Sequence, residues 1–472
     1  MNIAFVANGY KCQFFDLIGK AIKSKKTDVN IFWICISRNQ YKYLLSSGYD
    51  QENILLINWD VRNGTSEPIG EYKLNELIWG DRRMKYHFNG ASKCLINIQS
   101  LFYDFVKKHS LNFIFGEMTW AHEILMNRIC HDKFSGRCFY LHPQSIRIPN
   151  GRFVFMDNEF QNSLFPMSEN IHPEGCIKDI EIPIKPIVPQ RVADVAADVR
   201  TKLTLKFTIK RILGFLIFNR FKNNNYDSLQ TIKYPFYVRI GKFCQGELNK
   251  FYYTKILKKI YIKELEGKQF FFITLHMQPE ASVDIVGRYF EDQYEMIKNI
   301  WRILPYNYYL VIKEHTNAIG NRGKAFFNKC LSLKNVLVVN ELESSHQLLN
   351  MAEVVFTNSG TVALEGALYG KDVFLFGRIF FDKMEKSHNI TLEDLKFTSN
   401  FQDLLDVCKK RDEGKMSVEE YSKYILRSSF TGVVDPHNGS YYFTDEDNID
   451  NIAEGFVCLF SNINSLNKSN DS

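Results

Sequence analysis

Short runs of Ile, Val, Leu and Phe recur along the chain, separated by segments in which apolar residues return every three or four positions. In the first third they are 2–8 (NIAFVAN), 29–37 (VNIFWICIS), 53–58 (NILLIN), 111–117 (LNFIFGE) and 137–142 (RCFYLH). Continuous apolar runs of this length, rich in branched and aromatic residues, read as strands buried on both faces, and the text between them reads as crossover helices. The rhythm returns at 270–275 (FFFITL), 308–314 (YYLVIKE), 335–339 (NVLVV), 353–358 (EVVFTN) and 372–377 (DVFLFG), with helical patterns such as QYEMIKNIWRIL and SHQLLNMA between them. The expectation is two doubly wound α/β halves, each built on a parallel sheet.

Between the halves the pattern breaks. The proline-containing IPIKPIVPQ leads into LTLKFTIKRILGFLIFNRFK and YTKILKKIYIKELEGK, and residues 200–268 carry sixteen Lys and Arg against four acids. Two readings of this stretch stand open: a solvated helical linker, or a surface resting on anionic lipid headgroups. ILGFLIF is too short to span a bilayer, which needs about 20 apolar residues. No zinc-finger or RNP-type pattern accompanies the charge, so nucleic acid is not an expected partner. After residue 380 helical segments predominate, and SNINSLNKSNDS reads as a polar, frayed tail. The expected organisation is an N-terminal Rossmann-like domain over 1–165, a basic linker over 166–265, a second Rossmann-like domain over 266–385, and C-terminal helices with a polar tail over 386–472.

Polar residues collect where strands end. TNSGTVALEGALYG, residues 357–370, places Asn358, Ser359, Gly360 and Thr361 between a strand and a helix, where free N–H groups and the positive helix end favour an anion. Glu365, one turn further on, is placed to accept hydrogen bonds from ribose hydroxyls; the competing reading is an N-cap with Glu365 as capping-box partner. TLHMQPE gives His276, Gln278 and Glu280 after the strand 270–275, and Pro279 keeps Gln278 out of a helix. VIKEHT gives Lys313 and His315 after the strand 308–314. These are candidate donor-binding groups, with His276 and His315 as candidate catalytic residues. In the first half, Glu117 ends its strand and is the candidate general base, with a pKa raised by partial burial. A helix-capping role for Glu117 is the alternative. LHPQSIRIPNGRF, read as a loop, supplies His142, Arg147 and Arg152 as acceptor contacts.

Absences narrow the chemistry. ANGYKCQ after the first strand has one glycine where a dinucleotide fingerprint needs several, and neither a P-loop nor HExxH occurs. The ten cysteines are scattered with no CxxC pair, which argues against zinc and disulfides and for a reducing compartment. The only tight acidic cluster, Asp445-Glu446-Asp447, reads as a solvated turn. No metal and no cofactor are expected. The opening MNIAFVANGYKCQFF lacks the layout of a signal peptide, and a cytoplasmic location is the expectation. The formal charge of +6 is modest for 472 residues.

LHMQPEAS, the following YFEDQ (289–293), VIKEH and FTNSGTVALEGALYGKDVFLFG resemble the capsule polysaccharide biosynthesis family of bacterial GT-B glycosyltransferases, which includes Kdo transferases. The similarity covers roughly 269–380 closely and the N-terminal half in outline. It implies the GT-B plan, two Rossmann-like domains facing across a cleft. It assigns His315 the role of the histidine in the family's KEHP element, with Thr316 here in place of the proline. Ser359 and Thr361 then match the hydroxyl-rich phosphate turn and Glu365 the nucleotide-contacting acid. The implied activity is inverting, metal-independent transfer of a sugar from a CMP- or UDP-linked donor to a bacterial capsule or O-antigen glycan, free or lipid-linked, with peripheral contact at the cytoplasmic face of the inner membrane. The alternatives are a non-catalytic glycan-binding or scaffold subunit of capsule assembly, a nucleotide-sugar epimerase of the same fold, and transfer of glycerol phosphate from a CDP donor.

Overall fold

In a computed structural model, residues 1–9, 11–165, 204–221, 227–435 and 444–470 are described. The proline-containing segment 182–190 lies outside them. Among the described residues the strands of the first half are β1 Asn2–Ala7, β2 Asn30–Cys35, β3 Ile54–Leu56, β4 Phe113–Phe115, β5 Phe139–Ile146 and β6 Arg152–Met156. Those of the second are β7 Phe270–Thr274, β8 Tyr309–Lys313, β9 Val336–Val339, β10 Val354–Thr357, β11 Val373–Leu375 and β12 Ser387–Asn389, and β13 Phe430–Thr431 follows. Nine of the ten apolar runs in the sequence contain one of these strands, and the tenth, 137–142, holds the first half of β5.

The chain divides into two compact units. One holds the described residues up to 165, then 227–233 and those from 422 onward; the other holds 204–221 and 234–421. The last part of the chain, 386–472, is thus shared between them. Its final helix, Glu446–Asn470, runs on through the residues read as a frayed tail. Phe456 and Phe460 of this helix pack on the first sheet, with ring centroids 4.6 Å (Phe115–Phe456) and 5.6 Å (Phe113–Phe460) apart. Phe5, Trp33, Phe113 and Phe115 of that sheet share one buried cluster with Phe14, Phe15 and Ile18 of the helix Lys11–Lys25. The opposite face takes the helix Phe88–His109, where Phe32 meets Phe105 edge-on at 6.3 Å. Burial of both faces is why these strands read as unbroken apolar text.

The first sheet has the order β13-β6-β5-β4-β1-β2-β3. Its β1 to β5 pair in parallel, while β6 and β13 join antiparallel. Here the structure corrects the sequence: LHPQSIRIPNGRF, residues 141–153, is not all loop, since β5 runs on to Ile146 and a short turn leads into β6 at Arg152. Pro143 does not stop β5, because β5 pairs with β4 only through Leu141. Beyond that point β5 is bonded on one side alone, so the missing N–H breaks no ladder. The second sheet, in the order β12-β11-β10-β7-β8-β9, is parallel throughout.

Both sheets begin in the middle. In the second, the chain lays β8 and β9 to one side of β7, then returns to place β10, β11 and β12 on the other. In the first, β1 lies between β2 and β4. Neighbouring crossovers then leave in opposite directions and open a crevice at the carboxyl ends of the strands. In open α/β sheets ligands bind there. The two crevices lie beyond β7 and β10, and beyond β1 and β4.

Candidate functional site

The crevice of the second sheet is organised around His276, two residues past β7. Its Nε2 lies 2.8 Å from Thr357 Oγ1 at the end of β10, so one hydrogen bond spans the switch point. Thr357 Oγ1 also accepts from Thr274 Oγ1 (3.2 Å) and from the Gly360 N–H (3.3 Å). With two donors on its oxygen, the Thr357 hydroxyl donates to Nε2, which leaves the ring proton on Nδ1. The His276 backbone is clamped as well. Its N–H donates to Gln293 Oε1 (2.8 Å), and its carbonyl accepts from Gln293 Nε2 (3.2 Å) and from Arg322 Nη2.

Burial lowers the His276 pKa to about 3, helped by the nearby His315 and Arg322. The imidazole is therefore neutral. Gly360 shows how tightly this ring is seated. A Cβ there would stand 2.7 Å from Thr357 Oγ1 and 3.0 Å from His276 Cε1. Since Gly360 has an ordinary extended backbone (φ −77, ψ 147), only space excludes a side chain. Gly360→Ala is expected to destabilise the protein by about 1–3 kcal/mol through overpacking. Urea unfolding that finds wild-type stability would contradict this tight seating.

Charge comes from β8. Lys313, its last residue, is 6% exposed, and its ammonium makes no hydrogen bond or ion pair within the described residues. Burial lowers its pKa, opposed by the field of Glu341, Glu314 and Glu343. The next residue, Glu314, accepts from Arg322 Nη1 (2.6 Å) and from the His315 N–H (2.8 Å). His315 is exposed, and its Nδ1 accepts from the Asn317 N–H (3.2 Å). Beyond β10 the helix Thr361–Leu368 begins with Gly360 as its N-cap and no side-chain cap. That rules out the capping-box reading of the turn. Its first N–H groups thus join Lys313 at the carboxyl edge of this sheet.

Several predicted ligands act instead as supports. Ser359 Oγ donates to the Ser282 carbonyl (2.7 Å), and Asn358 Nδ2 donates to the carbonyls of Phe290 (3.2 Å) and Gly287 (3.4 Å). Both are buried, which fits braces for the 282–290 segment better than phosphate contacts. Gln278 Nε2 donates to Asp284 Oδ1 (2.8 Å), and the Glu280 N–H donates to Asp284 Oδ2 (3.1 Å), so Asp284 shapes that turn. Glu365 faces His346, with Oε2 3.8 Å from Nδ1, and His346 lies edge-on to Tyr369. The structure thus brings His276, Lys313, His315, Gly360 and Thr361 to one sheet edge.

The first sheet's crevice holds a second polar cluster. Glu117 lies 2.5 Å from Lys11 Nζ, in the first turn of the helix after β1. Burial alone would raise the Glu117 carboxyl, but Lys11, and behind it His142 and Arg82, bring it below its ordinary value. That corrects the raised pKa expected from the sequence. Behind Glu117 sits Glu123, fully buried. Its Oε1 accepts from Asn8 Nδ2 (2.5 Å), the Glu117 N–H (2.7 Å) and Tyr140 OH (3.3 Å). Burial, and then Glu117, push its pKa well up, so Glu123 is the protonated member of the pair. His142 is buried and neutral, its pKa brought to about 4 by burial and Lys11. Arg152 lies elsewhere: Nε donates to Ser429 Oγ (2.8 Å) and Nη2 to the Leu426 and Ser429 carbonyls. It ties the hairpin to the segment before β13 and is no acceptor contact. Arg147, just past β5, is exposed.

Sequence reasoning missed Thr357, Arg322, Lys11 and Glu123. Lys11 had a signal, since the first turn after the first strand of a doubly wound sheet borders its crevice. Arg322 had none, lying in the loop AIGNRGK away from any strand end. Among the described residues no group of three His, Cys, Asp or Glu side chains is arranged to hold a metal, and no helix is long and apolar enough to cross a membrane.

No family model matches the chain, and no curated protein sequence matches it. Solved structures do show some likeness. KpsC of Thermosulfurimonas dismutans, a beta Kdo 2,7 transferase, is 11% identical, with 96% of this chain and 99% of that one covered at a TM-score of 0.36. The KpsC beta Kdo 2,4 transferase of the same organism is 12% identical, covering 73% and 88% at 0.34. UDP-GlcNAc 2-epimerase from Neisseria meningitidis bound to UDP-GlcNAc is 11% identical, covering 98% and 100% at 0.24. The first two are of the kind the sequence resemblance names. Overlaps this slight leave the site to its own geometry.

Proposed function

We propose that the chain is a glycosyltransferase that takes a CMP- or UDP-linked sugar at the crevice of the second sheet and passes the sugar to a bacterial surface glycan. One observation carries the reading: three neighbouring strands end in a hydrogen-bonded histidine, an unpaired buried cation and an uncapped helix start. A departing nucleotide phosphate needs that combination of positive charge and fixed donors.

In the proposed reaction a bond forms between an acceptor hydroxyl oxygen and the anomeric carbon. The bond from that carbon to the donor phosphate oxygen breaks. Negative charge developing on the phosphate is met by Lys313 and by the N–H groups at Thr361. The neutral His276, fixed through Thr357 and Gln293, contributes a hydrogen bond rather than charge, and His315 is proposed to stand beside the departing phosphate. The proposed base is Glu117, which Lys11 keeps ionised and so able to accept a proton. The acceptor is proposed to be lipid-linked, and the enzyme to work at the cytoplasmic face of the inner membrane. The basic composition of 200–268 supports that placement.

The test is nucleotide release from a nucleotide sugar, followed with and without a capsule or O-antigen acceptor. The proposal predicts release that depends on acceptor. Turnover of donor alone would point to an epimerase, and a protein that neither binds nor cleaves nucleotide sugars would be a scaffold.

A further inference from the structure

A second hollow lies in the same unit, lined by the helix Phe236–Phe251, the π-helical turn Tyr252–Ile256, and residues 321–326 at the start of the helix Lys324–Leu331. Its volume is about 680 Å³, within the range of small-molecule pockets. Leu248, Phe251 and Ile256 line it while 66%, 59% and 60% exposed, and Phe326 adds an aromatic ring. Apolar side chains this exposed are unfavourable in water unless a ligand covers them.

The polar groups of the lining separate into two kinds. Asn249 is committed within the protein, donating to the Gly320 carbonyl (3.1 Å) and accepting from Gln245 (2.7 Å). It closes the hollow so tightly that a Cβ on Gly323 would meet Asn249 Oδ1 at 2.1 Å. The Lys324 side chain, by contrast, is exposed and makes no hydrogen bond or ion pair within the described residues. The lining carries no carboxylate, and its other cation, Arg322, is already paired with Glu314 at 2.6 Å. The helix that starts there has Gly323 as N-cap without a side-chain cap, which adds to the positive end.

We propose that this hollow binds an alkyl or prenyl phosphate, the chain lying along Leu248, Phe251, Ile256 and Phe326 and the phosphate at Lys324. Charge complementarity and the apolar length of the wall select this class over a free anion or a neutral lipid. Arg322 belongs both to this wall and to the clamp on His276. The proposal nevertheless stands apart from glycosyl transfer.

The experiment is calorimetric titration of the full chain with geranyl phosphate, with geraniol and inorganic phosphate as separate arms. Geranyl phosphate is expected to bind at least about tenfold tighter than either. Leu248→Asp and Lys324→Glu should each weaken it about tenfold. Both sites are exposed, so the unfolding midpoint should hold and report that the fold is intact. The proposal is overturned if geranyl phosphate does not bind, if geraniol or phosphate alone binds as tightly, or if both variants keep wild-type affinity. Nucleotide titrations of the same variants keep the two readings separate, since neither residue belongs to the nucleotide crevice.

Discussion

Arg322→Met is expected to destabilise the protein by about 3–5 kcal/mol at neutral pH, the range seen when one partner of a buried ion pair is removed. Glu314 is 1% exposed, and its Oε1 is held by the Arg322 guanidinium and one backbone N–H. Without Arg322 a buried carboxylate keeps a single donor, and the His276 carbonyl loses another. Truncating both partners removes the stranded charge, so Arg322→Met/Glu314→Gln should recover most of the loss. The pH dependence has a definite sign. Burial already raises the Glu314 pKa against the pull of Arg322, and removing Arg322 lets it rise further. A carboxyl raised in the folded state stabilises below its unfolded pKa and loses that contribution as pH rises through the folded value. The deficit of the single variant should therefore shrink as pH falls from 7 toward about 5. Urea unfolding at the two pH values reads all of this. A single-variant loss under about 1 kcal/mol, or no rescue by Glu314→Gln, would mean the pair is not the clamp described.

Lys313→Met is expected to move stability and binding in opposite directions. Lys313 is buried without an ion-pair partner, while its neighbours are provided for: Glu341 by Lys259 at 2.8 Å and Glu314 by Arg322 at 2.6 Å. Replacing a desolvated ammonium by a thioether of similar length should then stabilise the unliganded protein by about 1–2 kcal/mol. Nucleotide affinity should fall about 100-fold, or roughly 2.7 kcal/mol, because the phosphate loses its charge-assisted partner. Functional sites often trade stability for activity in this way. A variant less stable than wild type, yet binding nucleotide normally, would make Lys313 a structural cation.

The sequence announced most strands because burial on both faces leaves continuous runs of Phe, Ile and Val that no surface element would carry. The strands β6, β12 and β13 left weaker marks. Two are only two or three residues long, and β6 follows a Pro- and Gly-bearing segment that reads as a loop. Periodicity shows which face of Glu446–Asn470 is apolar but not which sheet it covers, so its return to the first sheet was not legible. At the site, strand ends located His276, Lys313 and the 359–361 turn, since topology alone places them on one edge. What each hydroxyl bonds to was hidden. Ser359 and Asn358 look like ligands until the 282–290 segment is seen beneath them. Spacing put Glu365 one turn from Thr361, but only the packed structure shows His346 against it. Glu123 and Arg322 act through other residues, and such supports carry no pattern of their own.

The central claim, that the ends of β7, β8 and β10 form one nucleotide phosphate site, is tested most directly by a thermal-shift panel of CMP, UDP, GDP and CDP on the wild-type chain. One of them, at a concentration 100 times its dissociation constant, should raise stability by about 2.7 kcal/mol. If all four leave the unfolding midpoint where it was, the crevice around His276 and Lys313 does not hold a nucleotide and the account is wrong.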